Sequence, residues 1–301
     1  HLRIGKTPIQ SPYLIDAADF IACHNPAYVT MYDMVSSLKD NGVFLLNCQW
    51  TADELDAHLP AEMKQLLAKK NAKMYIINAI ELAAKVGMGN RINTIMQAAF
   101  FKLADVIPYE QIFSLIEWDK VELFRSRALN PEHPTVRGSA QNPDVYFQNA
   151  EAVNPAYDAF PSIVQRQMDR VARVIGRQYH LFDYVGPDDP EVVLVSMGSS
   201  CEVIEQTLAD LNSRGYKAGQ VKVRLFRPFS SRDLLAAIPA LAHTVVTLDR
   251  TKESGADGEP LFKDVATALM VSGRGSTRII GGRYGLSSKN LTPAMVKAIV
   301  D

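Results

Sequence analysis

The chain has 301 residues, which exceeds what one ordinary hydrophobic core organises, so two or more modules are expected. Its composition, 47% hydrophobic and 22% charged, is that of a globular protein, and no apolar run reaches the roughly 18 residues that a membrane span needs. The formal net charge of -1 argues against a basic nucleic-acid-binding surface and against a polybasic membrane contact.

The first ten residues, HLRIGKTPIQ, contain neither an initiator Met nor the apolar core of a signal peptide. We therefore expect a chain that was processed or cut from a longer protein. Short apolar runs then alternate with helical patterns, which predicts an open α/β sheet of three parallel strands. The strands are predicted at 18–24, 42–48 and 72–79, with a helix over 90–106.

Local signals place two more helices in this first third. Asn25 followed by Pro26 is a good helix start, and this helix is expected to continue through Leu38. A second helix is predicted after the 42–48 strand, where Thr51 and Glu54 form a capping-box pattern. Pro60 is expected to divide that helix in two.

Residues 128–161 hold five prolines, which predicts an extended, turn-rich connector without a long helix. The segment also carries four aromatic residues, Tyr146, Phe147, Tyr157 and Phe160. A solvated linker does not need such side chains, so we expect the segment to lie on a neighbouring surface and be ordered by it. A helix is predicted from Ser162 to about Gly176.

The rest of the chain again alternates strands with helices, which predicts a second, mostly parallel sheet. Its four strands are predicted at 192–198, 219–226, 243–249 and 277–282. The helices between and after them are predicted up to Leu211, from Ser231, near 260–271 and from Thr292. The predicted fold is thus α/β, with two open, mostly parallel sheets, helices on both faces, and a Pro-rich irregular segment between them.

The turn at Gly198, in the stretch VVLVSMGSSCEVIEQTL, raises the question of a phosphate-binding loop. It has the pattern of neither a P-loop nor a dinucleotide-binding turn. Glu202 falls in the first helical turn, where a carboxylate suits the helix dipole and opposes a bound anion. We therefore predict a structural turn with Ser199 or Ser200 as N-cap.

The charged loop LDRTKESGADGEPL, at 248–261, follows a predicted strand. The carboxyl ends of parallel strands are where α/β sheets place their sites, so its charges could meet a ligand or an adjoining domain. The alternative is a solvated loop with local ion pairs. The charged residues concerned are Asp249, Arg250, Lys252 and Glu253.

Two further places offer cations to an anionic ligand. Arg3 and Lys6 flank Gly5, and Arg91 and Asn93 stand where a helix begins. Together they suit the phosphates of a nucleotide-like ligand, whereas each alone is equally an ordinary surface charge.

The cysteines and histidines give no site of their own. Cys23, Cys48 and Cys201 are far apart in sequence, which predicts buried, reduced residues and too few thiolates for an iron–sulfur cluster. Cys23 and His24 are adjacent on a strand and so face opposite sides, which argues against a nucleophile pair. No His spacing suits a metal.

Several long phrases resemble the pyruvate:ferredoxin (flavodoxin) oxidoreductase family of thiamine-dependent 2-oxoacid oxidoreductases. They include HLRIGKTPIQSPYLI, ADFIACHNPAY, RINTIMQAAFFKLADVIP, RALNPEHPTVRGSAQNPDVYFQ, RQYHLFDYVG, VRLFRPF and GRYGLSSK. The resemblance implies three segments: the C-terminal part of the γ domain at 1–113, the end of the thiamine pyrimidine-side domain with a connector at 114–176, and the transketolase C-terminal-like domain at 177–301. In single-chain members the pyrimidine-side domain comes first and the γ domain last of the three, so the order here is rearranged.

The resemblance also implies function. Such an enzyme decarboxylates pyruvate oxidatively to acetyl-CoA in the cytoplasm and passes electrons to ferredoxin or flavodoxin. Lys6, Arg91 and Asn93 are implied as phosphate contacts of coenzyme A, and no catalytic residue or metal ligand is implied. Thiamine diphosphate, magnesium and 4Fe-4S clusters belong to other parts of the complete enzyme, which is expected to be a homo-oligomer.

The isolated chain is therefore expected to be inactive, with the remaining domains or subunits as its partners and no nucleic acid or membrane among them. The alternative from another functional class is a non-catalytic interaction module, fused to or paired with another redox enzyme such as a sulfite reductase flavoprotein subunit.

Overall fold

A computed structural model describes residues 16–89, 91–105, 108–135, 138 and 140–301. The described chain divides into two compact units between Phe113 and Ser114. Each unit has its own sheet and its own buried core, which confirms the predicted fold class. The further assignment of 114–176 to the end of a pyrimidine-side domain stays a prediction.

The first unit contains a three-stranded parallel sheet in the order β1-β2-β3. The central strand supplies the largest buried side chains, Phe44, Leu45 and Leu46, because strands covered on both faces must be apolar throughout. All three predicted strands are confirmed, with bounds β1 (Ala18–Cys23), β2 (Leu38–Asn47) and β3 (Lys73–Ile77).

Helices cover both faces of this sheet. Met63 and Leu67 of α2 pack on one side, while Ala79 of α3 and Met96 of α4 pack on the other. The helices are α1 (Leu55–His58), α2 (Ala61–Lys69), α3 (Ala79–Lys85), α4 (Asn93–Ala104) and α5 (Tyr109–Phe113), with 3-10 turns at Pro26–Thr30 and Ala52–Glu54.

The predicted helix from Asn25 through Leu38 is wrong in length. Asn25 does accept the Ala27 N–H at 3.0 Å, but the turn it starts ends at Thr30. A competing turn follows, in which the Asp33 carboxylate accepts the Ser36 N–H at 3.1 Å and leads the chain into β2. This is the local side-chain-to-backbone bonding by which Asp diverts the backbone from a helix.

The capping box and the break at Pro60 are confirmed. The Glu54 carboxylate accepts the Thr51 N–H at 2.8 Å and the Thr51 hydroxyl at 3.0 Å. Pro60 separates α1 from α2 as predicted.

The second unit contains a five-stranded sheet in the order β4-β6-β5-β7-β8, parallel except for the edge strand β4. The four predicted strands are confirmed. The five strands of this sheet are β4 (Phe182–Val185), β5 (Val192–Ser196), β6 (Ala218–Val223), β7 (Thr244–Asp249) and β8 (Arg278–Arg283). The sequence analysis missed β4, since its four residues are too few to show a period and its partner β6 lies far along the chain.

Helices also cover both faces of the second sheet. On one face lie Ile204 and Leu208 of α9 and Val296 of α12, and on the other lie Leu234 of α10 and Leu261 of α11. The bounds are α9 (Ser200–Ser213), α10 (Ser231–Ala237), α11 (Pro260–Val271) and α12 (Pro293–Val300), with a 3-10 turn at Leu286–Ser288.

The Pro-rich segment is not irregular throughout, which corrects the prediction. It contains α7 (Pro143–Glu151) and the first half of α8 (Asn154–Ile175), and α6 (Trp118–Arg125) precedes it. Pro143 and Pro155 occupy the first turn of their helices, where a missing N–H costs nothing. Pro161 lies inside α8, where it is buried and so contributes packing in place of a backbone hydrogen bond.

The four aromatic residues of this segment are not covered by the rest of the described chain, contrary to the expectation. Tyr146, Phe147, Tyr157 and Phe160 have exposed fractions of 64%, 68%, 58% and 42%. No helix formed by the described residues is both long enough and apolar enough to cross a bilayer.

Candidate functional site

The carboxyl edge of the first sheet is organised by a buried asparagine. Asn47 ends β2 and is only 2% exposed. Its Nδ2 donates to the His24 carbonyl oxygen at 2.9 Å, and its Oδ1 accepts the Ala79 N–H at 2.9 Å. One side chain thus ties the residue after β1 to the first residue of α3. Sequence reasoning missed Asn47, although a polar residue closing the apolar run FLLN was a signal.

Helix α4 begins at the same edge of the sheet. Phe100, in its second half, contacts Phe20 of β1 with ring centroids 5.0 Å apart. Met96, one turn earlier, packs with Ala79, which follows the carboxyl end of β3. The helix therefore runs opposite to the strands and directs its N-terminus towards their carboxyl ends.

The N-terminus of α4 has the features of an anion contact. Its N-cap is Ile92, which gives no side-chain hydrogen bond, and no acidic residue lies in the first turn. Arg91 and Asn93 are both exposed at this point. Uncapped backbone N–H groups, the positive end of the helix dipole and a guanidinium all favour a phosphate group here. The structure thus brings two of the three predicted contacts together, whereas Lys6 lies outside the described residues.

The neighbouring helix α3 shows the opposite arrangement. The Asn78 side-chain Oδ1 accepts the Glu81 N–H at 3.1 Å, and Glu81 places a carboxylate in the first turn. An N–H group at this terminus already has a side-chain acceptor, and a carboxylate lies in the first turn. The start of α3 therefore does not favour an anion. Of these two helix starts, that of α4 is therefore the one compatible with an anion.

The turn at Gly198 leads into α9, and its purely structural role stays a prediction. Gly198 has a φ of 74°, a left-handed conformation that suits glycine, and its carbonyl accepts the Cys201 N–H at 3.1 Å. Ser199 occupies the N-cap position, but neither serine caps the helix through its side chain. The Ser200 hydroxyl instead donates to the Met197 carbonyl oxygen at 3.2 Å.

A buried polar cluster lies between β5, β6 and the start of α9. The Gln220 Nε2 donates to the Ser196 Oγ at 3.1 Å, and that oxygen lies 3.5 Å from the Cys201 Sγ. Burial raises the pKa of the Cys201 thiol, so the thiol stays protonated and inert. Lys222 is 9% exposed in its side chain and forms an ion pair with Glu205 at 2.5 Å. All three cysteines are free and buried, as predicted.

The charged loop after β7 is held by local contacts. The Asp249 carboxylate is buried and accepts the N–H groups of Leu261 and Phe262, at 3.0 and 3.2 Å, at the start of α11. Burial raises the pKa of Asp249. Arg250, Glu253 and Glu259 also form contacts within the loop and its surroundings, which supports the local-ion-pair interpretation. These contacts are Arg283 with Glu259, Lys263 with Glu253, and the Arg250 Nε with the Gly285 carbonyl oxygen.

A second charged group stands where β4 begins and β6 ends. The Asp183 carboxylate pairs with Arg224 and lies 2.9 Å from the His180 Nδ1. Arg224 also lies over the Tyr179 ring, 4.4 Å from its centroid. Sequence reasoning did not assign a role to these residues. Within the described part of the chain, no three His, Cys, Asp or Glu side chains are grouped as metal ligands.

Two family profiles match the chain. One, described as pyruvate ferredoxin/flavodoxin oxidoreductase, matches residues 1–118, and the other, described as pyruvate:ferredoxin oxidoreductase core domain II, matches residues 190–292. The chain belongs to the pyruvate:ferredoxin/flavodoxin oxidoreductase family. The chain thus carries two separate parts of this family, and the α4 terminus lies in the first of them.

Relatives with the names of this family align with about two thirds of the chain. A pyruvate:ferredoxin oxidoreductase of Moorella thermoacetica is 56% identical over 197 residues, covering 65% of this chain and 17% of its own length. A pyruvate-flavodoxin oxidoreductase of Trichormus variabilis is 51% identical over 199 residues, again 65% of this chain and 17% of the relative. The chain therefore spans about a sixth of the length of these relatives.

Proposed function

We propose that this chain is one part of a cytoplasmic pyruvate:ferredoxin or pyruvate:flavodoxin oxidoreductase, which oxidises pyruvate to acetyl-CoA. The chain supplies two α/β units and part of the coenzyme A site. Thiamine diphosphate, magnesium, the 4Fe-4S clusters and the contact with ferredoxin or flavodoxin belong to the rest of the enzyme. Free, buried cysteines fit a reducing compartment.

The observation that carries the proposal is identity at the level of 56% and 51% to relatives whose names state this activity. Identity of this degree preserves the packing of whole domains. The chain spans 17% of those relatives, so it acts with other domains or subunits and not alone. We propose that the enzyme formed by this chain and those other domains or subunits is a homo-oligomer.

The N-terminus of α4 supports a role in binding coenzyme A. Coenzyme A carries several phosphate charges, and the uncapped helix end beside Arg91 and Asn93 offers backbone donors together with a cation. Lys6 is the third proposed contact. The arrangement positions and holds the ligand, and the chain contributes no group that reacts with it.

The proposal is tested by isolating the chain with its natural partners. An affinity-tagged chain is purified under anaerobic conditions from the cells that make it, and viologen reduction is measured with pyruvate and coenzyme A. We expect activity that requires both substrates and proteins that contain thiamine diphosphate and iron–sulfur clusters. The matched control is the same tagged chain made in a foreign host. Partners without thiamine diphosphate or pyruvate oxidation would contradict the proposal.

A further inference from the structure

The apolar stripe along α8 is buried over one half of the helix and bare over the other. Val164 and Met168 pack against the core of the second unit. The same stripe continues towards the N-terminus at helical spacing through Phe160, Tyr157 and Val153, whose exposed fractions are 42%, 58% and 47%. From Pro161 onwards α8 thus packs within this chain, whereas the stripe before it, up to Phe160, is exposed.

Helix α7, which precedes α8 in the chain, carries further exposed apolar side chains. Val145, Tyr146 and Phe147 are 50%, 64% and 68% exposed. We call the exposed apolar side chains of the two helices the α7–α8 face, and its members are Val145, Tyr146, Phe147, Val153, Tyr157 and Phe160. Aromatic residues are enriched in interfaces, and a monomer seldom leaves so many large apolar side chains uncovered.

The charged residues within 140–165 are all acidic, and the next charged residue along α8 is the exposed Arg166. Residues 140–165 contain Asp144, Glu151 and Asp158, all exposed, and no Lys or Arg. Two copies of this face would bring their carboxylates together, and like charges placed against each other disfavour association. A partner that combines apolar side chains with lysine or arginine around them is complementary to the face.

The relatives indicate where that partner lies. A continuous match of 197 residues within a chain of 301 must include both α7 and α8, so the Moorella relative carries these helices too. The match is 17% of that relative, so far more chain surrounds the two helices there than here. We propose that the α7–α8 face docks on another part of the oxidoreductase, one that presents apolar side chains flanked by Lys or Arg. This inference rests on the proposed function for the identity of that partner.

Hydrogen–deuterium exchange on two proteins tests the docking, namely this 301-residue chain and the complete Moorella thermoacetica enzyme. We expect amides of α7 and of the first half of α8 to exchange at least about tenfold more slowly in the complete enzyme than in the chain. The second half of α8 should be protected in both, which provides an internal reference. Equally fast exchange of the first half in both proteins would overturn the proposal.

Light scattering on the chain tests the alternative that a second copy of the chain covers the α7–α8 face. The variant Tyr157→Ser with Phe160→Ser is compared with Met270→Ser and Val271→Ser, which removes exposed apolar side chains from α11. We expect the unmodified chain to be monomeric. A dimer that only the first variant disperses would make a second copy the occupant and overturn the proposal. Pyruvate oxidation is measured separately, so a failure of the proposed function is not confused with a failure of the docking.

Discussion

At the start of β4, the Asp183 carboxylate contacts both Arg224 and His180. Burial opposes ionisation of its carboxyl, but hydrogen bonds from Arg224 and His180 outweigh that effect, and the pKa of Asp183 is lowered. Its side chain is 17% exposed and that of Arg224 is 32% exposed, so solvent screens this pair less than the ion pairs of the surface. The pair joins the end of β6 to the edge strand.

We expect Asp183→Asn to destabilise the protein by about 1–2 kcal/mol at pH 7, because it removes charge-assisted hydrogen bonds. A lowered carboxyl pKa contributes stability above the unfolded value, near 3.8, and that stability is lost as pH falls through the folded value. Urea unfolding from pH 7 to pH 3 should therefore show the difference shrinking at acid pH. Asp210→Asn, which breaks the exposed pair with Arg214, is the control and should cost less at every pH.

The proposed anion contacts predict a selective loss of coenzyme A affinity. In the complete enzyme, Arg91→Ala and Lys6→Ala should each raise the coenzyme A requirement about tenfold, since a charge-assisted contact is worth roughly 1.5–3 kcal/mol. The decarboxylation step that precedes coenzyme A should be nearly unchanged. Lys69→Ala serves as control, because α2 packs on the other face of the sheet. An unchanged coenzyme A dependence would return both residues to the class of ordinary surface charges.

At the scale of elements, α8 depends on the residue that ends it. Gly176 adopts a φ of 70° and its N–H bonds to the Ala172 carbonyl oxygen at 2.8 Å. No atom lies within 4 Å of the position of an added Cβ, so a substitution there adds backbone strain and no steric clash. Gly176→Ala should cost about 1 kcal/mol of unfolding free energy in urea. Gly275→Ala, equally open in space but without a positive φ, should have little effect.

Elements specified by nearby residues are the ones that the sequence analysis predicted well. Helix α10 begins at Ser231 as predicted, because the Ser230 side chain caps it, and α11 has the predicted bounds. The first half of α8 and the strand β4 were missed. Pro161 is accepted because the interior packs around it, and β4 exists because β6 pairs with it, so both depend on tertiary contacts that no short window contains.

The candidate site was predictable in part for the same reason. Arg91 and Asn93 stand at a helix start, which their neighbours in the sequence reveal. Asn47 was missed because its function depends on bringing His24 and Ala79 together, and their closeness follows from the order of the strands. The Asp183–Arg224 pair likewise joins residues that only the sheet makes neighbours.

At the scale of the whole molecule, the purified chain should be catalytically inactive. Oxidative decarboxylation of a 2-oxoacid depends on cofactor chemistry, and this chain is expected to supply binding surfaces without the reacting groups. Viologen reduction with pyruvate and coenzyme A should remain at background for the chain made in a foreign host. Turnover by the isolated chain would show that a reacting group lies within it.

The strand order of the two sheets has a consequence for synthesis on the ribosome. In the first sheet spatial order equals chain order, so each new strand adds to the edge that its predecessor has just formed. In the second sheet β4 pairs only with β6, and β5 is made between them. At roughly 5–20 residues per second, β4 emerges seconds before its partner does. During that interval nascent β4 must wait unpaired, and the second sheet can close its antiparallel edge only after β6 has emerged.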